Sequence, residues 1–132
     1  MMFVDASALT AILADEGDAP ELLARLQKAR IRITSPLAVW ETVLAVSRIL
    51  DLEVGHAHEA VEEFLVLSEI QVTAVPPEAR NHAIDAYNRY GKSRHSASLN
   101  FGDCFAYACA RIAGVPLLYK GDDFPQTDIE TA

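Results

Sequence analysis

The sequence predicts an α/β domain in which a central parallel sheet of four or five strands is covered on both faces by helices. Three observations carry this. Short apolar runs of strand length alternate with longer stretches of helical periodicity, mostly two helical stretches to one strand. The first apolar run, "MFVD", stops at Asp5 and has the character of a buried strand. No internal repeat, low-complexity tract or linker divides the chain, so residues 1–132 read as one domain.

The elements follow in order. After "MFVD", "ASALTAILADE" continues helically, with Leu9, Ile12 and Leu13 on one face. "DAPELLARLQKA" places Asp18 ahead of Pro20, a helix start with proline in the first turn. "IRIT" is the second strand. "SPLAVWETVLAVSRILDL" is a helix with Ser35 as N-cap and Pro36 next. "VGHAHEAVEEFLVLSEI" is another, with Val61, Phe64, Leu65 and Ser68 at helical spacing, and "QVTAV" is a third strand stopped by Pro76 and Pro77. "PEARNHAIDAYNRYG" is helical and ends at Gly91, the expected C′ residue. "KSRHSASL" is a loop, "NFGDCFAYACARIAG" an apolar helix closed by Gly114, "VPLLYK" the fourth strand, and "GDDFPQTDIETA" a turn with a short C-terminal piece.

Composition narrows the function. With 51% apolar residues the chain is globular, not disordered. Its 19 acids against 11 bases, a formal net charge of −8, argue against indiscriminate binding to nucleic acid or membrane. They leave room for a local basic patch or for carboxylates around a metal. One stretch reverses the balance: from Tyr87 to Cys104 the chain carries Arg89, Lys92, Arg94 and His95 and no acid before Asp103. The cysteines, Cys104 and Cys109, point to different faces of one helix and cannot pair with each other. Two thiols suggest a reducing compartment. The N-terminus lacks a basic segment, so no signal peptide is read there. No apolar stretch approaches the roughly 20 residues of a membrane helix. A soluble cytoplasmic protein is expected.

In open α/β sheets, ligands bind beyond the carboxyl ends of the strands. Asp5 ends the first strand, Asp122 and Asp123 follow the fourth, Glu41 lies in the helix after the second, and Asp103 opens the helix before the fourth. Local roles exist for most of them. Asp5 suits a helix cap, Asp103 a capping arrangement with Asn100, and Asp122 and Asp123 a turn. Glu41 has no such local role. It shares a helix face with Leu37, Leu44 and Ala45, where an unpartnered carboxylate costs several kcal/mol. Converging carboxylates repel unless protonated or neutralised, and a hard divalent ion with oxygen ligands, Mg²⁺ or Mn²⁺, removes the conflict. Such an ion polarises a phosphoryl oxygen and acidifies a bound water, so the set suits phosphodiester hydrolysis.

Other candidates are weaker. His56 and His58 do not share a helix face, and His82 sits among polar helix residues. Cys104 has no histidine placed near it in sequence. The Phe101, Phe105, Ala108 and Ile112 stripe has core spacing, and no glycine-rich phosphate loop is present.

The stretches "FVDASAL", "WETVLAV", "YGKSRHSASLNFGDCFAYACA" and "PLLYKGDDFPQTDI" together resemble the motifs of PIN-domain ribonucleases, in particular the VapC toxins of bacterial toxin–antitoxin pairs. The resemblance spans nearly the whole chain. It implies an endoribonuclease dependent on Mg²⁺ or Mn²⁺ that acts on RNA of the transfer or ribosomal class. It also implies a homodimer and inhibition by a small VapB-type antitoxin, with no membrane partner. On the same basis Asp5, Glu41 and Asp103 match the first three metal-binding acids, and Ser7 the small hydroxyl residue that supports them. Here the last motif reads Lys120-Gly121-Asp122-Asp123-Phe124, shorter than the family's usual spacing. Asp122, nearer the strand end, is the preferred fourth acid and Asp123 its rival.

Three further classes remain, one a binding module in which the metal only recruits a ligand, for which "DASAL" carries Leu9 at the second serine position of an Asp-x-Ser-x-Ser motif. A receiver-like phosphoryl-transfer protein would suit Lys120, but the third strand runs into Val75-Pro76-Pro77 with no acceptor aspartate. A degenerate PIN-like module would bind RNA or antitoxin without cutting, although all four acids are present. The basic run Arg89, Lys92, Arg94 and His95 is expected to guide the RNA backbone past an acidic centre.

Overall fold

Four parallel strands stand in the order β3-β2-β1-β4 in the computed structural model, which describes residues 1–132. They are β1 (Met2–Val4), β2 (Arg32–Thr34), β3 (Ile70–Val72) and β4 (Leu117–Leu118). Phe3 is paired with Ile33 on one side and Leu117 on the other, and Thr34 with Val72. The chain therefore walks outward from β1 to β3, then crosses back to lay β4 on the other side of β1. That reversal opens a crevice beyond the carboxyl ends of β1 and β4.

Six α-helices cover the sheet: α1 (Ala6–Leu13), α2 (Ala19–Lys28), α3 (Pro36–Ile49), α4 (Val54–Leu67), α5 (Ala79–Tyr90) and α6 (Phe101–Ala113). The two-residue period of the strands divides the core. Phe3 and Leu117 face one layer with Ala83, Ala86, Leu99 and Tyr107 from the α5–α6 side. Met2, Val4 and Leu118 face the other with Leu9, Leu22, Val43, Val61 and Leu65 from α1–α4. No helix is long and apolar enough to cross a membrane.

Most start and stop signals act as their chemistry dictates. The Ser35 hydroxyl accepts from the Ala38 amide at 3.1 Å, with Pro36 in the first helical position. Gly114 closes α6 at φ +67°, a conformation costly for residues with a Cβ. Gly91 follows α5 as the expected closing residue. It ends α5 at φ −68°, not left-handed. What requires glycine there is close approach, because a Cβ would run into the Tyr87 carbonyl and ring. Asp18 precedes α2 without capping it; its carboxylate lies 3.5 Å from Lys120 Nζ instead. The third strand begins at Ile70, one residue before the expected stretch, after a turn at Glu69 (φ +52°).

The C-terminal piece covers the open edge of β4, where the Leu117 amide donates to Glu130 and Ala132 donates back to Leu117, both at 2.9 Å. Asp128 anchors it. Its carboxylate accepts from Tyr107 Oη (2.6 Å), Arg111 (2.6 Å) and Arg89 (3.2 Å). Despite partial burial, those donors hold Asp128 down to about 2.

Candidate active site

The crevice beyond β1 and β4 is a cavity of about 510 Å³, and three of the sequence-predicted acids line it: Asp5, Glu41 and Asp103. They come from three places far apart in the chain. Asp5 leaves β1 into α1, Glu41 stands one turn into α3, and Asp103 lies in the first turn of α6.

Asp5 is almost completely buried, 3% exposed, and the capping role and the cavity role coincide in it. One carboxylate oxygen accepts from the Ser7 amide at 3.0 Å and the Ser7 hydroxyl at 2.5 Å. The same hydroxyl accepts from the Lys120 amide at 3.0 Å. Ser7 thus ties the start of α1 to the chain leaving β4 and fixes the direction of the Asp5 carboxyl. Burial raises the pKa of Asp5 above its ordinary value, against the lowering effect of the Ser7 and Ala6 donors.

Asp103 likewise keeps both roles. It forms a complete capping box with Asn100: its amide donates to Asn100 Oδ1 at 2.9 Å, and one of its oxygens accepts from the Asn100 amide at 3.1 Å. Burial, reinforced by the charges of Asp5 and Asp123, raises it to about 6 although the Asn100 donor pulls the other way.

Glu41 is raised furthest, to about 7, by burial first and then by the charges of Asp5 and Asp103. No side-chain donor partners it. It lies against Gly102, and a Cβ at that position would overlap the Glu41 carboxyl group. Only glycine lets α6 approach α3 this closely with Glu41 between them.

The acids influence one another electrostatically, yet no three His, Cys, Asp or Glu side chains stand close enough together to hold a metal ion as they lie. An all-oxygen donor set in an open, polar cavity suits a hard divalent cation that keeps several of its waters. The cysteines do not compete. Burial pushes Cys104 up to about 11, with Asp103 adding to it, so it is a thiol at neutral pH.

Neither Asp122 nor Asp123 lines the cavity, and both are exposed. They differ in one respect: Asp123 is close enough to raise Asp103, whereas Asp122 offers its backbone carbonyl to Gln126 Nε2 at 3.2 Å.

The basic run lies beside this centre, not in it. None of Arg89, Lys92, Arg94 and His95 lines the cavity. Arg89 is held by Asp128 and Asp85 and covers the Tyr90 ring. Arg94 donates to the Asn88 carbonyl and side chain, and His95 Nδ1 accepts from the Ala97 amide at 2.9 Å. Their loop packs on the turn that carries Asp122 and Asp123, through Ser96 Oγ and Gln126 Oε1 at 2.6 Å.

The cations that do line the cavity are Arg48, not expected there from sequence, and Lys120, weighed only for the receiver-like alternative. Lys120 is committed to Glu16 and Asp18. Arg48 belongs to none of the ion pairs of the chain. Its spacing from Glu41, seven residues or two helical turns along α3, was the available signal.

A parallel sheet with carboxylates gathered at its switch point defines a class, and comparison with known proteins agrees. The family model of the PIN domain matches residues 2–130. Ribonuclease VapC30 of Mycobacterium tuberculosis is 40% identical, covering 98% of this chain and 97% of its own. A VapC ribonuclease of Rhizobium meliloti is 42% identical, covering 98% and 99%. The chain belongs to the PIN-domain family and, within it, to the VapC toxin ribonucleases. Among solved structures, M. tuberculosis VapC20, described as a Sarcin-Ricin loop cleaving toxin, superposes with a TM-score of 0.78 at 20% identity over 100% of this chain and 98% of that one. At that identity the likeness concerns the fold.

Proposed function

We propose that this protein is an endoribonuclease toxin that hydrolyses RNA phosphodiesters with a divalent cation, Mg²⁺ or Mn²⁺, held by Asp5, Glu41 and Asp103. The observation that carries the reading is the meeting of these three carboxyls on one cavity, each raised above its ordinary pKa. Together they form a site short of positive charge. The bound ion would polarise a phosphoryl oxygen and lower the pKa of a water. The chain's residues supply the rest. Ser7 fixes Asp5 and Asn100 fixes Asp103 through the hydrogen bonds above, so both carboxyls are oriented before substrate arrives. Glu41 is raised to about 7 by burial and by its acidic neighbours, and a bound cation would offset that repulsion and favour its charged form. Asp123, not Asp122, is the better fourth acid, since its charge is the one felt by Asp103. The purified protein is expected to cut RNA with Mg²⁺ or Mn²⁺ and to stop with a chelator. Cleavage that persists in excess chelator would overturn the metal reading.

Relatives of this class include the Sarcin-Ricin loop cleaving VapC20, and we extend the ribosomal or transfer RNA class to this chain. Lys92, Arg94 and His95 are exposed beside the turn that carries Asp123, where an RNA backbone entering the acidic crevice would meet them. Neutralising Arg89, Lys92 and Arg94 together should weaken RNA binding and reduce the slope of log K against log salt, by about 0.7 for each phosphate no longer neutralised. An unchanged slope removes the guiding role.

An acidic cavity also accepts a basic side chain, as a VapB-type antitoxin inhibiting the enzyme would supply. A homodimer would cover the exposed Ile84, Tyr87 and Phe101 along α5 and α6; Phe101→Glu should then halve the mass seen in sedimentation.

Gly102→Ala tests the place of Glu41. The nearest atoms the new Cβ meets are the far end of the flexible Glu41 side chain, so the fold should survive. Glu41 must swing aside, and cleavage should fall about 10- to 100-fold. Full activity in this variant would mean that Glu41 does not act from its position against Gly102.

A further inference from the structure

Helix α3 forms one wall of the acidic cavity with two adjacent rows of side chains: Glu41, Ala45 and Ile49, and beside them Trp40, Leu44 and Arg48. Residues four apart on a helix stack into such rows. Trp40 is 61% exposed. Its indole makes no hydrogen bond with the chain, and the aromatic pairs of the fold are all formed by other rings. Single exposed apolar side chains are ordinary, but Trp40 continues into exposed Leu44 and Ile49 and into the groove beside them, and a contiguous apolar surface at the lip of a polar site marks a binding surface.

The position of Trp40 indicates what the ligand offers. It flanks Glu41 in sequence and lines both the acidic cavity and the neighbouring apolar groove of Pro36, Val39, Val43 and Val54. Arg48, free of ion pairs, closes the same row about 12 Å along the helix axis, eight residues at about 1.5 Å each. A ligand crossing this wall needs a flat apolar surface for Trp40 and an anion for Arg48. An unpaired stretch of RNA carries both, as bases and phosphates. A peptide reaching the acids with a basic side chain also fits the cavity, but that side chain offers Arg48 no anion, whereas RNA meets Trp40 and Arg48 together.

We propose that Trp40 is a stacking platform for an unpaired base next to the scissile phosphate, with Arg48 receiving a flanking phosphate. The substrate is then a loop or other single-stranded segment of RNA, since a base within a duplex cannot reach the indole. This rests on the ribonuclease function proposed above and specifies how the strand lies in the site.

Trp40 is the only tryptophan in the chain, so it reports on itself. The protein, kept in chelator to prevent cutting, is titrated into a fluorescein-labelled eight-nucleotide RNA of mixed sequence, with anisotropy reporting binding. An unlabelled copy of the same RNA is titrated in parallel to follow tryptophan emission. Emission should be quenched with the same midpoint as the anisotropy rise, and a duplex of equal length should quench far less. Trp40→Ala should weaken binding about 5- to 100-fold and raise KM much more than it lowers kcat in the metal-loaded cleavage assay. Trp40→Phe, which keeps an aromatic face, should recover most of the loss, and circular dichroism should show both variants folded. Binding with unchanged emission, or Trp40→Ala binding as well as the native protein, overturns the platform and leaves the nuclease reading standing. Emission that responds only to a protein partner also overturns it. No RNA binding at any salt concentration, together with no cleavage, overturns both.

Discussion

Asp5→Asn and Asp103→Asn should each reduce RNA cleavage by about 10³-fold or more while the folded protein stays as stable as before, or becomes more so. The loss follows from removing a charge where a cation must be held and transition-state charge stabilised. The retained stability follows from local geometry. Asparagine caps helices about as well as aspartate, so the Asp5 variant can still accept from the Ser7 amide, and the Asp103 variant can still accept from Asn100. Both wild-type carboxylates are disfavoured by their surroundings, burial being the main cause, and an amide removes that penalty. Parallel cleavage assays and thermal melts in chelator would check this. Undiminished cleavage in both variants would remove these residues from the site. Lost cleavage with collapsed melting would make their role structural.

The second large effect is in stability against pH and metal. Glu41 is raised from 4.5 to about 7 and Asp103 from 3.8 to about 6. Between those limits the folded state binds more protons than the unfolded chain, so stability falls as pH rises. In chelator the melting temperature should therefore decline from about pH 4.5 to pH 7 and level off above the folded values. Glu41 faces an open cavity, so its share is discounted for solvent to about 2 kcal/mol. Glu41→Gln should flatten the upper part of the decline. Saturating Mn²⁺ at pH 7.5 neutralises the same charges and should raise the melting temperature by about 5 °C or more. A profile that is flat in chelator and indifferent to Mn²⁺ would contradict both the repulsion among the acids and the metal site.

Much of this was legible in the chain itself because it depends on neighbours in sequence. Strand–helix alternation predicted a parallel sheet, and Ser35-Pro36 and Gly114 marked helix ends by local sterics and hydrogen bonding. Asp5 and Asp103 were visible as acids at element boundaries. Glu41 stood out because a carboxylate on an apolar stripe needs an explanation. The local and functional readings of Asp5 and Asp103 proved not to be alternatives. A carboxylate has two oxygens, and one can cap a helix while the group still faces the cavity.

Sequence order by itself determined which residues are acids at strand ends; the tertiary structure decided which side chains share a space. The crossover that places β4 beside β1 brings Lys120 to Ser7 across 113 positions, and no local pattern encodes that pairing. The approach of α6 to α3 gives Gly102 its role as the gap that houses Glu41. Gly91, read as the end of a helix, closes α5, but glycine is required there by the nearness of Tyr87. The basic run was the most conspicuous charge feature of the sequence, yet it lies outside the cavity, with Arg89 paired to Asp128 and Arg94 bonded to Asn88. Arg48 and Trp40, inconspicuous in an apolar helix, form the wall of the site. Capping, turn formation and periodicity are short-range and follow from the chain. Electrostatic coupling and cavity shape depend on distances in space, which exist only once the sheet order and helix packing are set.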